Sequence, residues 1–275
     1  MSNSSALSAD RALAILEMLV TMSEGVSLSR VAQELNLPLS ATHRLLSVLV
    51  DRNYARQNPA TEQYEPTLAV AALGIRLLAN THLSDIYLPI LEELAEATGE
   101  LVRLAVLDGE KLTWIARVQG AKSAIRYDPL VGHDVPLYAT AMGKAWLATL
   151  PEAAALRIAA AAGFRGGAGP NSVPGPNAVA SAEELAIHLR DARERGYGLV
   201  NEEAEPGISA IAMVVRDNAD RLGAPVGCVA VAGPSFRLGH DRLVGFVPKL
   251  QEAVGRLSAL WPLHTYRARI VGEER

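Results

Sequence analysis

The chain has 275 residues, 49% hydrophobic and 20% charged, which is ample for packed cores in one large or two ordinary domains. A single cysteine, Cys228, excludes an internal disulfide, the opening M-S-N-S-S-A-L-S lacks the basic start and apolar run of a secretory leader, and the alanine-rich run from Ala153 to Ala162, broken by Arg157, is too short to span a bilayer. The formal net charge of −4 offers no broad basic surface for nucleic acid, and a cytoplasmic protein without membrane association is expected.

In chain order, Ala12, Ile15, Leu16 and Leu19 mark an amphipathic helix. Ser27 caps a second, with Leu28, Val31 and Leu35 on one side. Asn36-Leu37-Pro38 makes a tight turn into a third helix over Leu37 to Val50, with Pro38 at its first position, where a missing N–H costs nothing. Thr42, Leu45, Leu46 and Leu49 give this helix a face to bury. Ser40, Ala41, His43, Arg44 and Ser47 lie opposite: small residues that allow close approach, then groups able to reach phosphates or base edges. Such a face can equally be a solvated one, but its neighbours argue otherwise. Tyr54 to Gln57 and Gln63 to Glu65 read as two strands around the turn-rich tip Asn58-Pro59-Ala60-Thr61. Three helices and a hairpin are the winged helix-turn-helix plan, which implies double-stranded operator DNA as partner. From Leu7 to Pro66 five arginines face seven acids, yet from Leu37 to Asn58 three arginines (44, 52 and 56) face Asp51 alone, so the positive charge sits on the reading helix and wing. Affinity per subunit should be modest, with oligomerisation supplying the rest.

Thr67 to Ala79 has too many apolar positions for one stripe. It suits a linker helix that pairs with its counterpart in a dimer, or a helix buried within one domain. Ser84 caps a helix running to Thr98, with Gly99 as its stop. Leu101 to Leu107 and Lys111 to Val118 read as strands joined by Asp108-Gly109-Glu110, and Ser123 to Tyr127 as a third strand. Ala141 to Leu150 and Pro151 to Ala162 are helical, and Gly163 to Ala180 is a long Gly-, Pro- and Asn-containing loop. Ser181 caps a helix to Arg195. Strands follow at Tyr197 to Asn201, Ile208 to Arg216 and Pro225 to Ala232, with a turn at Asp217 to Gly223, and a final helix spans His240 to Leu260. The fold class is α+β, divided as 1–66 (DNA-binding), 67–80 (linker helix) and 81–275 (second domain).

Chemical candidates are few. Asn201, Glu202, Glu203 and Glu205 cluster before Pro206-Gly207 with no histidine or cysteine near in sequence, and a solvated loop is expected. Cys228 lies in the apolar run V-G-C-V-A-V and reads as a small buried hydrophobe. His133-Asp134 and His240-Asp241 are adjacent pairs, read as loop and helix-cap features, and G-G-A-G-P at Gly166 lacks what a phosphate loop requires. No catalytic residue, metal site or cofactor is expected. Thr140-Ala141-Met142-Gly143 is a loop-to-helix start with Lys144 just inside, where backbone N–H groups could hold a carboxylate or another electron-rich group.

R-A-L-A-I-L-E-M-L at Arg11, L-S-R-V-A-Q-E-L-N-L-P at Leu28, S-A-T-H-R-L-L at Ser40 and Y-E-P-T at Tyr64 resemble the amino-terminal domain of IclR-type bacterial transcriptional regulators. The likeness continues through Arg103 to Gly109, P-L-Y-A-T-A-M-G-K-A at Pro136, R-G-Y-G-L-V-N-E-E-A-E-P-G at Arg195 and V-A-G-P at Val231. It implies a GAF-like effector domain, pairing through the linker helix, a homodimer or dimer of dimers, and an effector site to which the Thr140 segment contributes. Relatives that sense small oxo-acids carry an acid, a cysteine and two serines where this chain has Val200, Ala210, Ala230 and Ala232. An apolar lining cannot compensate a small hydrated acid for lost water, but it can bury a ring. Ala124, Tyr127, Val135, Ala141, Met142 and Ile208 align with other lining positions, so the resemblance implies a larger, aromatic effector, its polar end at the N–H groups of Ala141 and Met142 or the Tyr127 hydroxyl.

The expected function is therefore a DNA-binding transcriptional regulator whose operator affinity responds to a small-molecule effector, with Ser40, Ala41, His43, Arg44 and Arg56 on the DNA. A hydrolase or transferase using the second domain's pocket is the alternative from another class, and it needs a nucleophile with a base in reach.

Overall fold

The structure, a computed structural model, describes residues 2–22, 24–81, 83–129, 131–162, 173–218 and 223–261. The chain divides into two compact units, Met1–Asn80 and Thr81–Arg275.

In the first unit, α1 (Ser2–Thr21), α2 (Leu28–Glu34) and α3 (Leu39–Asp51) precede the strands β1 (Ala55–Gln57) and β2 (Tyr64–Pro66) and the helix α4 (Leu68–Thr81). Ile15 and Leu19 of α1, Val31 of α2, and Leu46 and Leu49 of α3 close one core with Val26, Ala55 and Tyr64. The Ser27 hydroxyl accepts from Arg30 N (3.3 Å) and caps α2. Asn36 takes a left-handed φ of 50° in the turn between α2 and α3, a conformation asparagine tolerates better than most side chains. Pro38 is extended (φ −61°, ψ 139°) and stands as the N-cap of α3, one position before the first-turn place expected of it. The strands pair antiparallel, with Arg56 opposite Glu65, and a bridge from Val26 to Tyr64 ties the α1–α2 connection to the wing.

The second unit is built on a five-stranded antiparallel sheet, ordered β4-β3-β7-β6-β5, from β3 (Leu101–Asp108), β4 (Lys111–Gln119), β5 (Gly198–Asn201), β6 (Ile208–Arg216) and β7 (Pro225–Pro234). The helix α5 (Leu83–Thr98) precedes it, α6 (Ala141–Leu147), α7 (Glu152–Ala162) and α8 (Ala182–Arg195) lie between β4 and β5, and α9 (His240–Gly245) and α10 (Val247–Leu260) follow. Cys228 and Ala230 of β7 join the apolar cluster around α6, so the alternate residues Val229 and Val231, also buried, face the other side, where α5 and α10 pack on the strands. The helix α6 lies very close to the chain around it. A Cβ on Gly143 would come 2.2 Å from Leu137 O, and one on Gly198 would come 2.1 Å from Ala141 O.

Several sequence expectations need correction. Residues 123–127 form no strand, because the backbone groups that would enter a ladder are taken by side chains. Ile125 N donates to Ser123 Oγ (3.2 Å), Arg237 donates to Ile125 O (2.7 Å), and the Gln119 amide donates to Tyr127 O (2.9 Å). The final helix is two helices parted at Phe246: Pro248 has no N–H to return to Val244, which ends one ladder and starts another. Gly239 is the N-cap of α9 and His240 its first helical residue. Ser84 lies inside α5 rather than capping it. Residues 163–172 of the predicted loop, with the glycine-rich stretch at Gly166, and 219–222 of the predicted turn lie outside the described residues. Among the described residues, no helix is long and apolar enough to cross a membrane.

Candidate functional site

Helix α3 divides as its spacing predicts. Thr42, Leu46 and Leu49 are buried, while Ser40, His43 and Arg44 are exposed and Ala41 is half-buried. The Thr42 hydroxyl donates to Pro38 O (3.1 Å), so this inward polar group is satisfied within the helix. The Ser47 hydroxyl likewise donates to His43 O (2.9 Å). Imidazole, guanidinium and the Ser40 hydroxyl therefore stand together on the first turns of a rigid helix.

Arg56 on the wing is exposed but not a lone cation. Its guanidinium donates to Glu65 Oε2 through Nε (3.1 Å) and Nη2 (2.9 Å), while the Asn58 amide donates to Glu65 Oε1 (3.3 Å). These hydrogen bonds hold the Glu65 carboxyl below the usual carboxylate range. A phosphate contact by Arg56 must compete with Glu65. The variant Glu65→Gln should therefore raise affinity for DNA of any sequence and steepen its salt dependence, by about one phosphate contact's slope. Titrations of wild type and variant on one duplex at several salt concentrations check this; equal slopes refute it.

Eight of the ten residues expected at the effector site line one cavity in the second unit: Tyr127, Ala141, Met142, Val200, Ile208, Ala210, Ala230 and Ala232. Ala210 pairs with Ala232 and Ala212 with Ala230 across β6 and β7, so small side chains hollow one face of the sheet beneath the start of α6. Ala124 is exposed, outside this cavity, because its segment is not a strand. Val135 is buried in the neighbouring apolar cluster without reaching the lining. The cavity's volume is about 50 Å³.

Sequence reasoning missed three lining residues, Arg103, Trp114 and Ala204, while Thr140 lines the cavity as part of the helix start it singled out. Arg103 is the consequential one. It lies in the middle of β3 beside Ala230 of β7, is only 4% exposed, and carries its guanidinium 3.7 Å from the centre of the Trp114 ring. On the same wall, the Tyr127 hydroxyl donates to Glu205 Oε1 (2.8 Å). Burial pulls the Arg103 pKa down to about 10, opposed by Tyr127 and Glu205, so it remains charged at neutral pH. Burial, then the Glu205 carboxylate, pushes the Tyr127 phenol up, so it stays a neutral donor. Thr140 offers little: its hydroxyl donates to Pro136 O (2.8 Å) and accepts from Gly143 N (3.0 Å).

Lys144 does not reinforce the start of α6 as expected. It is buried, paired with the Glu203 carboxylate and in contact with His188 Nδ1, on the wall of a separate, more open cleft of about 530 Å³. The acidic cluster after β5 is likewise no solvated loop. Glu203 is 4% exposed, Glu202 accepts from the Ser235 hydroxyl (2.7 Å) and Gly207 N (3.1 Å), and Glu205 holds Tyr127. Each carboxylate fastens the 202–207 segment to a different neighbour. Cys228 is fully buried with its sulfur 3.6 Å from Met142 O, and burial pushes the thiol up.

A helix-turn-helix unit with an exposed polar reading helix, followed by a separate antiparallel-sheet domain with a cavity on one face of its sheet, defines a DNA-binding transcription regulator. The chain belongs to the IclR family: residues 8–59 match the IclR helix-turn-helix domain, and residues 75–259 match the carboxy-terminal domain of the bacterial transcriptional regulator IclR. It is 31% identical over 257 residues to SauR of Cupriavidus necator, a probable transcriptional regulator, covering 94% of this chain and 98% of that one. The crystal structure of the Thermotoga maritima IclR superposes with a TM-score of 0.65 at 26% identity, over 91% of this chain and 97% of that one. An IclR homologue of Microbacterium hydrocarbonoxydans, crystallised with 4-hydroxybenzoate, shares the fold with a TM-score of 0.71 at 20% identity, over 92% and 98% of the two chains.

Proposed function

We propose that this regulator releases or engages its operator in response to a small effector with an apolar body, an aromatic acid or related ring compound, bound in the cavity beneath α6. The observation that carries this reading is the floor of Ala210, Ala230 and Ala232 walled by Val200, Met142 and Ile208, which offers a ring apolar contact and a small hydrated oxo-acid little in return for lost water. The complex of the Microbacterium relative with 4-hydroxybenzoate supports it by analogy of fold. The protein acts by binding alone: Cys228 offers no thiolate, and the Lys144 amine is held by Glu203.

Fluorescence anisotropy on a labelled duplex from upstream of the chain's own reading frame tests the proposal, with benzoate and 4-hydroxybenzoate added against glyoxylate and pyruvate. Ring acids should change DNA affinity by about 1–3 kcal/mol, the usual size of coupling between two sites. A larger response to the oxo-acids refutes the ring reading, and no binding to DNA refutes the whole.

Operator engagement requires pairing of subunits. Helix α4 exposes Leu68, Leu73, Ile75 and Leu77, an apolar surface that suits a second copy of the same helix. Light scattering at micromolar concentration should give a dimer or a dimer of dimers, and Ile75→Glu should lower the mass and weaken operator binding together. A wild-type monomer rejects the assembly.

A further inference from the structure

The open cleft of about 530 Å³, between α8 and the outer edge of β5, shares no lining residue with the cavity beneath α6 and is far larger. Its charged side chains are already matched. Lys144 pairs with Glu203, Arg195 with Asp191 (2.8 Å), and Glu184 accepts from Ala180 N (3.0 Å) at the first turn of α8. An anion entering the cleft finds both cations taken and three carboxylates around it. The groups left open are neutral. Burial, then Lys144, lowers the His188 pKa, so the ring carries one proton, and because the Lys144 ammonium donates to Nδ1 that proton lies on Nε2. With Nδ1 turned to the buried lysine, the half-buried ring presents an N–H donor to the cleft it lines. Asn201 Oδ1 accepts from the Ser209 hydroxyl (2.7 Å), which leaves its amide N–H groups, and the Asn177 amide donates to Asn201 O (3.0 Å), which leaves its oxygen as an acceptor. Both amides are held in one orientation by these bonds. Among the described residues nothing takes the Tyr197 hydroxyl. The strand β5 is the edge of the sheet, and Glu202 N donates to Ile208 O (2.8 Å), so antiparallel alternation turns the N–H and C=O of Leu199 away from β6.

We propose that this cleft is a second small-molecule site, apart from the effector cavity, and that its ligand is a neutral, hydroxyl-rich ring: a monosaccharide or a cyclic polyol. A hydroxyl both donates and accepts, so a ring carrying several of them can satisfy the His188 and Asn201 donors, the Asn177 acceptor and the Tyr197 hydroxyl together. A carboxylate only accepts, and it adds a charge beside Glu184, Asp191 and Glu203. An ammonium only donates, and it meets the N–H of His188 and the cations Lys144 and Arg195. Because the amides and the imidazole are oriented before a ligand arrives, little of their freedom is left to lose on binding. The volume is that of an ordinary small-molecule site, so a sugar ring enters with no wall displaced. The two cavities stand back to back. Met142 of α6 and Val200 of β5 line the first, whereas Lys144 and Leu199, from the same two elements, line the cleft. A molecule in the cleft therefore lies against the reverse side of the effector cavity's wall.

Calorimetry on the full-length protein at neutral pH with glucose, ribose and myo-inositol tests this, with glucuronate and glucosamine as charged counterparts. At least one neutral compound should bind with a Kd below about 10 mM, and at least about fivefold more tightly than either charged sugar. Tyr197→Phe and His188→Leu should each weaken it by about threefold or more, the loss of one hydrogen bond. Ala178→Trp, which fills the cleft from its rim, should abolish binding, and Ala232→Trp, which fills the other cavity, should leave it unchanged. Thermal melts show which variants fold. If His188→Leu or Ala178→Trp does not, Tyr197→Phe, which removes one oxygen and no packing, decides. No neutral compound binding within that limit overturns the proposal, as does equal or tighter binding of a charged sugar. Affinity unchanged in every folded variant of the cleft overturns it, and so does binding lost in a folded Ala232→Trp, which moves the sugar to the effector cavity. None of these outcomes depends on the response to ring acids, so the effector reading stands or falls separately.

Discussion

Replacing Glu203 with leucine should lower the stability of the second unit by about 3–5 kcal/mol, the cost of leaving a buried charge without its partner. Lys144 is 1% exposed and, among the described residues, Glu203 is the one carboxylate within ion-pair distance of it, so the variant leaves a buried ammonium without its counter-ion. The same reasoning makes the double variant Lys144→Met/Glu203→Leu far milder than either single change, because an apolar pair of similar volume removes both charges together. Burial lowers the Lys144 pKa and raises that of Glu203, each against the attraction of the other, so desolvation exceeds what the pair returns. The pH dependence follows in sign. With Glu203 gone, the folded-state pKa of Lys144 falls further below its unfolded value, and the unfolded chain binds more protons in the window between the two. Stability of Glu203→Leu should therefore recover as pH rises through that window toward about 10. Glu184 and His188, which share the cleft wall, also face the amine; His188, itself lowered by burial and by Lys144, stays neutral over that range. Denaturant unfolding of wild type, both single variants and the double variant at neutral and alkaline pH decides. Additive single effects would mean that the two side chains do not act as a pair.

How far the sequence could be read depended on whether a residue's partner is near in the chain. The first unit was legible because its signals are local: a serine cap at Ser27, leucines at helical spacing through Leu49, a turn-rich tip between two short strands. Residues 123–127 misled because strand-like composition says nothing about competing side chains, and that of Arg237 arrives from 112 residues away. The carboxylates at 202, 203 and 205 looked solvated for the same reason. Their partners Ser235, Lys144 and Tyr127 are between 33 and 78 residues away. The break at Phe246 was visible, since Pro248 cannot continue a helix, and it was overlooked inside a strong amphipathic pattern. The cavity's apolar wall could be placed only through the family's pattern, because no periodicity says that Ala210 and Ala232 face each other across a sheet. Arg103 did leave a local trace. One arginine in the middle of L-V-R-L-A-V-L, flanked on both sides by residues that must be buried, is a charge inside a core, and such a charge needs a partner and a purpose.

Replacing Arg44 with alanine should weaken specific operator binding by about 1–3 kcal/mol while leaving the melting temperature unchanged. The fold is indifferent to this side chain because it is exposed on the face of α3 opposite Thr42, Leu46 and Leu49, and the first unit's core closes without it. Its task depends on the neighbours it shares that face with. Ser40 lies a turn before it, Ala41 leaves room for close approach, and His43 stands beside it, so the guanidinium is presented from the first turns of a helix whose N-cap, Pro38, is already rigid. We propose that an arginine so placed meets base edges in the major groove, where its fork matches the two acceptors of a guanine. That role separates from a phosphate contact by what the variant loses. Loss of a base contact relaxes preference at one operator position and leaves binding to an unrelated duplex nearly intact, whereas loss of a phosphate contact weakens both equally and lowers the salt slope by about one. The variant should therefore bind the operator and a scrambled duplex with affinities closer to one another than those of wild type. Equal losses on both would move Arg44 to the backbone and leave His43 and Ser40 as the groups that read sequence.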